Sequence, residues 1–177
     1  VGITVFVVPE AKNFQETYDT IMSIGLIVNQ KEKAATIIKK MESEVKEIQK
    51  KVAKVADGRS AFIETSDEPE IYTAGKGSFI QEMFDLLDIK NVATKEDWYQ
   101  ISSEAIIKAN PDVILVMYDY VPNIVEKVKK RQGFQTIPAV SNDRVVQIDS
   151  DKISRTGPRL AEGLEEIAKA VYPEAFQ

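Results

Sequence analysis

The residues of this chain that could do chemistry gather in four short stretches: "EIYTAGKGS", "EDWYQISSE", "YDYVP" and "DSDKISRTGP". Together they hold Tyr72, Trp98, Tyr99, Tyr118, Tyr120, Asp151 and Arg155, which includes four of the six tyrosines and the only tryptophan. An aromatic side chain in a loop offers a large rigid face with a polar tip. Several such faces with one arginine suit the wall of a site for a bulky organic ligand. The rival reading is that some of these rings merely cover loop backbone. Covalent chemistry has less support. The chain contains no Cys and no His, which removes thiol catalysis, Cys- or His-based zinc sites and imidazole acid–base work. The remaining nucleophiles are isolated Ser and Lys with no base to pair with, so no catalytic residue, cofactor or protein-bound metal is assigned. An α/β enzyme using the same rim stays open as an alternative.

Two further features are ambiguous. "TAGKGS" (Thr73–Ser78) is glycine-rich and leads into a helix, which fits an anion at a helix N-terminus or a plain flexible turn; it lacks P-loop spacing. Glu104 falls in the first turn of a helix, where a carboxylate complements the helix dipole. The acidic "DSD" at 149–151 reads as solvated.

The bulk numbers narrow the partners. With 177 residues, 44% hydrophobic and 29% charged, the chain can bury one ordinary core. A net charge of −5 disfavours nucleic acid, which calls for a basic face. No apolar run approaches the ~20 residues of a membrane span, and "VGITVFVVPE" lacks the basic lead of a signal peptide. The chain begins with Val rather than Met, so the expectation is that a leader, an anchor or more was removed.

The elements that must position the rim follow from periodicity. "ITVFVV" (Ile3–Val8) reads as a strand ended by Pro9. Asn13 with Glu16, and Asn29 with Glu32, have the spacing of capping boxes opening two helices. Apolar residues at Ala34, Ile37, Ile38, Met41, Val45, Ile48, Val52 and Val55 predict one long helix from about Gln30 to Ala56. After Gly58 strands alternate with helices. "SAFIET", "NVA", "DVILVMY" and "RVVQID" read as strands, and "SFIQEMFDLLD", "SSEAIIKAN", a segment from Pro122 to Arg131 and one from Gly157 to Val171 as helices. The fold class is therefore α/β: an open, mostly parallel, three-layer lobe preceded by a long linking helix. A lone strand at Ile3–Val8 would leave its backbone polar groups unpaired, so it should pair with a sheet edge or another chain.

This arrangement resembles the substrate-binding proteins of ABC importers for cobalamin, iron–siderophores and haem. In that family two α/β lobes are joined by a long rigid helix. The resemblance implies that residues 1–12 end a first lobe, 13–57 are the linking helices and 58–177 form the second lobe. A first lobe of roughly 100 residues is then expected upstream. "DWYQISSEAIIKANPDVILV" is similar to the family segment in which an aromatic, here Trp98, faces the ligand and a Glu six positions later, here Glu104, docks on the permease. "EIYTAGKGSFIQEM" likewise places Tyr72 beside the ligand, and "DSDKISRTGPRL" places Arg155 in the cleft. The resemblance implies a non-catalytic receptor for a bulky metal chelate, held by Tyr72, Trp98, Tyr118, Tyr120 and Arg155. It also implies a membrane permease as partner and an extracytoplasmic, periplasmic or lipid-anchored, location. A homodimer through residues 1–56 is a further expectation, since that segment lacks its own cover.

Overall fold

A computed structural model describes residues 2–177. Two helices come first, α1 (Phe14–Ile27) and α2 (Lys31–Val52). Asn13 caps α1 as its spacing predicts: its Oδ1 accepts from the Glu16 N–H at 2.7 Å. Glu16 reaches back one residue further than a capping box does, accepting from the Lys12 N–H at 2.7 Å and from Asn13 Nδ2 at 2.9 Å. The second box does not form. Asn29 takes a left-handed φ of 55° and turns the chain, while Gln30 becomes the residue before α2 without a side-chain cap. Asparagine tolerates that conformation, and here the turn takes precedence over capping. The hairpin is tight because Gly25 has no side chain: a Cβ there would overlap the Cβ of Ala34.

The apolar stripe of α2 buries Ala34, Met41, Val45, Ile48 and Val52, as the periodicity requires. The helix ends at Val52 rather than Ala56, and its last turn is irregular. Residues 2–12 form no strand. Ile3, Val5 and Val7 are more than 70% exposed, and among the described residues no strand lies beside them to pair with.

The remaining chain builds a parallel sheet of β1 (Ser60–Glu64), β3 (Lys90–Asn91), β5 (Val113–Val116) and β6 (Val145–Gln147), in the order β3-β1-β5-β6. Residues of β1 and β5 are buried on both faces, as expected of central parallel strands. Ala61, Ile63, Val113 and Leu115 face one core with α1, α2, α3 (Phe79–Leu86) and α8 (Leu160–Val171). Phe62, Ile114 and Val116 face the other, with α4 (Ser103–Ala109), α5 (Ile124–Lys129) and α6 (Pro138–Ser141). That is the three-layer arrangement expected from the sequence. Chain order reverses between β1 and β5, the kind of crevice where open α/β sheets place ligands.

Two strands fall where the sequence suggests loops. β2 (Tyr72–Ala74) and β4 (Trp98–Gln100) pair antiparallel into a separate ribbon. They are three residues each, too short for periodicity to show. A one-turn helix, α7 (Ser150–Ile153), also occupies the acidic stretch before Arg155.

Candidate functional site

The ribbon explains why aromatics stand at this edge. Its register opposes Tyr72 with Gln100, Thr73 with Tyr99 and Ala74 with Trp98. Alternation along each strand then puts Tyr72 and Trp98 on one face, as diagonal neighbours about 7–8 Å apart. They are 40% and 48% exposed. Thr73 goes to the opposite face, where it is buried and donates from Oγ1 to the Ile63 carbonyl at 2.7 Å, fastening the ribbon to β1. The pairing continues beyond the strands. The Gly75 N–H donates to Asp97 O, the Asp97 N–H to Lys76 O and the Lys76 N–H to Lys95 O, each at 2.8 Å.

Trp98 borders a groove of about 240 Å³. Its walls are the start of α3 at Ser78 and Phe79, the end of α7 at Ile153 and Ser154, Thr156, and the segment Glu10–Lys12. Ser78 caps α3 by accepting from the Gln81 N–H at 3.2 Å, as its spacing predicts. The groove thus brings Trp98 against the loop that carries Arg155. Arg155 itself is 72% exposed and lies 3.0 Å from Asp151.

Tyr118 and Tyr120 stand apart from this groove, at the carboxyl end of β5. Their rings stack at 4.9 Å, but only Tyr120 reaches solvent, at 64% exposure. Tyr118, expected from the sequence at the ligand surface, is instead 4% exposed. Its hydroxyl donates to Glu64, so its ring packs in the core and backs Tyr120. Burial first, then the Glu64 carboxylate, pushes its phenol far above the usual range. Tyr120 accepts from the Asp67 N–H at 3.0 Å.

Beneath this pair lies a set of residues that sequence reasoning missed. Arg131 donates to both oxygens of Glu64 at 2.5 and 2.8 Å, and to Asp67 at 2.9 Å. Lys127 also bonds Asp67. Burial alone would raise the Asp67 carboxyl, but the bonds from Lys127 and Arg131 together hold it below the ordinary carboxylate value. The available signal was a glutamate ending the otherwise apolar run "AFIE": an inward charge at that place needs a partner.

Glu104 is exposed in the first turn of α4. Its own backbone N–H, then the Ser102 hydroxyl, hold its carboxyl below the usual range, so the helix-head role is realised. It shares a hollow of about 570 Å³ with Glu68, Pro69, Gln100, Ser102 and Ser103.

Known proteins share this architecture. The periplasmic binding protein family matches residues 1–152. The uncharacterized ABC transporter substrate-binding lipoprotein YvrC of Bacillus subtilis is 42% identical over 99% of this chain and 56% of its own length. The molybdate-binding protein MolA of Haemophilus influenzae is 32% identical over 62% of this chain and 32% of its own. The chain therefore spans about half, or less, of these curated relatives. A crystal structure of a possible iron-binding, periplasmic solute-binding protein from Staphylococcus epidermidis superposes with a TM-score of 0.88 at 37% identity, covering 97% of this chain and 67% of that one. The vitamin B12 binding protein BtuF of Vibrio cholerae shares the fold at 21% identity, with a TM-score of 0.79 over 99% of this chain and 67% of its own. With a family match over residues 1–152 and a relative 42% identical over 99% of its length, the chain belongs to the periplasmic binding protein family.

Proposed function

We propose that the chain is part of the substrate-binding component of an ABC importer for a bulky metal chelate of the iron–siderophore or cobalamin type. In this reading residues 1–12 end a first lobe, 13–57 link the lobes and 58–177 form the second. Tyr72, Trp98, Tyr120 and Arg155 contact the ligand, Tyr118 backs Tyr120, and Glu104 docks on the permease. The protein is non-catalytic. The family works outside the cytoplasmic membrane, and among the described residues no helix is long and apolar enough to cross one. A lipid anchor, named for the Bacillus subtilis relative, is proposed for the whole protein.

One observation carries the reading: Tyr72 and Trp98 on the β2–β4 ribbon and Tyr120 past the carboxyl end of β5 are 40–64% exposed, while Phe14, Phe62, Phe84 and Phe134 are buried. Wide aromatic faces suit an organic chelate shell. A small oxyanion needs several convergent donors instead, and Arg155 is the one cation among the proposed contacts.

The test titrates this chain with a ferric trihydroxamate, cyanocobalamin and molybdate while following Trp98 emission. Weak, incomplete responses to one of the bulky chelates are expected, since half a cleft forgoes half the contacts. A response to molybdate alone overturns the chelate class. Tight, saturable binding by this chain alone overturns the half-cleft arrangement. A second reading, self-association through residues 1–56, draws on the exposure of Ile3, Val5, Phe6 and Val7; a monomer by sedimentation at high concentration rules it out.

A further inference from the structure

Trp98 stands among carboxylates. Asp97 and Glu10 line the same groove, with Lys12 as the basic residue of its walls. Glu96 and Asp97 also converge on Gly77, just before α3: a Cβ built there would meet Glu96 Oε2 at 3.5 Å and Asp97 Oδ1 at 3.9 Å. Other cations nearby are engaged. Arg155 is paired with Asp151 at 3.0 Å. Lys95 Nζ lies 5.2 Å over the Tyr99 ring, and Tyr99 alternates to the face of the ribbon away from Trp98. Lys76 is not among the walls of the groove. Acidic residues therefore outnumber basic ones around this indole, and Glu10, Glu96, Asp97 and Asp151 are all exposed.

Charge of one sign along a cleft concentrates solutes of the opposite sign and repels those of its own. Repulsion of a wrong partner sets specificity as much as attraction of the right one. The organic shells that enclose ferric iron differ sharply in this respect. Each hydroxamate loses a single proton, so a trihydroxamate complex carries no net charge, while its oxygens still offer Arg155 acceptors. Each catecholate loses both of its protons, and a tricatecholate complex is strongly anionic. A wall bearing Glu10, Glu96 and Asp97 costs the first little and the second much, because a polyanion meets every carboxylate at once.

We propose that this wall selects its chelate by charge, admitting a neutral or cationic complex and turning away a polyanionic one, and that Asp97 is the specificity-determining residue beside Trp98. The selection rests on the proposed reading of the groove as a ligand wall; the negative potential at Trp98 is a property of this chain alone. Asp97 has a φ of 54°, a left-handed conformation that asparagine also tolerates, so Asp97→Asn removes the charge and keeps the backbone. Asp143 is a matched control. Its φ is 57°, it is exposed, and it lies at the amino end of β6, the far end of the sheet from the rim.

Trp98 is the only tryptophan, so its quenching by small ions reads the potential there without any ligand. Iodide and caesium quenching, each divided by its value for N-acetyltryptophanamide, are compared at about 0.1 M ionic strength, where charges within ~10 Å still act. Caesium is expected to exceed iodide by about twofold or more, the effect of a local potential of order kT. Asp97→Asn is expected to narrow that gap more than Asp143→Asn does. The same proteins are then titrated with a ferric trihydroxamate and a ferric tricatecholate. The wild type is expected to respond to the trihydroxamate at the lower concentration, and Asp97→Asn to bring the two responses together. Equal normalised quenching by the two ions, or equal changes in the two variants, overturns the charge selection, as does a tricatecholate response at the lower concentration. If the ions differ as expected but neither chelate nor cyanocobalamin moves Trp98 emission, the ligand reading fails and takes the selection with it. If the chelates bind without regard to charge, the ligand reading stands and the selection alone falls.

Discussion

Arg131 and Glu64 meet as a doubly hydrogen-bonded pair inside the lobe, Nη1 to Oε2 at 2.5 Å and Nη2 to Oε1 at 2.8 Å, with side chains 2% and 0% exposed. Removing one member leaves the other charge buried and unpaired, and such truncations cost about 3–5 kcal/mol. Arg131→Met is therefore expected to destabilise by about that amount in urea denaturation. Replacing both, as Glu64→Leu with Arg131→Met, is expected to recover part of the loss, because the buried charges are gone while the Tyr118 hydroxyl loses its acceptor and Asp67 keeps Lys127 alone. A double variant as unstable as the single one contradicts this account.

The ribbon that displays Trp98 depends on Gly75. A Cβ there would overlap the Lys95 carbonyl oxygen and come within 3.0 Å of the Tyr99 ring. Gly75→Ala is expected to cost about 1–3 kcal/mol, the usual range for overpacking, and to change Trp98 emission by prying β4 from β2. Gly157→Ala is the control. Its Cβ would meet nothing nearer than 4.0 Å, and its expected effect is within about 0.5 kcal/mol. Chemical denaturation followed by fluorescence reads both quantities.

The long-range frame of this protein was legible because its signals are periodic. The stripe from Ala34 to Val52 and the run Val113–Val116 are buried as read, and Asn13 and Ser78 cap the helices their spacing implied. Short-range features were not. Three-residue strands give no period, so Tyr72 and Trp98 looked like loop residues. Ile3–Val8 has strand composition, but a strand exists only with a partner. Tyr118 and Tyr120 are alike in sequence and opposite in role, because both lie past the end of β5 with their rings stacked, and only the inner one, Tyr118, is buried against Glu64. The Glu64–Arg131 pair joins residues 67 apart in the chain, a distance no local pattern spans.

Glu82 links the first helix to the lobe and gives the fold a pH response. Its carboxylate accepts the Phe14 N–H at 2.7 Å, yet its pKa is raised, by burial first and then by Glu16 and Asp85. For an acid with a raised folded pKa, the native state holds its proton more firmly than the unfolded chain. The stabilisation is present below the ordinary value of 4.5 and is lost as pH rises through the folded value. Glu82→Gln keeps an acceptor for Phe14 without the charge. It is expected to match or exceed the wild type at neutral pH, with the advantage vanishing below the ordinary carboxylate range. Thermal melts across that range check the sign, and an advantage that grows in acid would refute it.

Arg155 separates folding from binding. Its contact to Asp151 at 3.0 Å joins side chains 72% and 53% exposed, and an exposed ion pair of this kind is worth about 0.5 kcal/mol or less. Arg155→Ala is therefore expected to leave the melting curve almost unchanged. If the arginine meets the ligand in the cleft, the same variant weakens the Trp98 response to the ferric trihydroxamate, and added salt weakens the wild-type response in parallel, since an exposed charge is screened. Asp151→Asn frees the guanidinium without removing it, and is expected to strengthen the response to anionic chelates relative to neutral ones. An unchanged titration in both variants would remove Arg155 from the binding wall and leave Tyr72, Trp98 and Tyr120 as its only contacts.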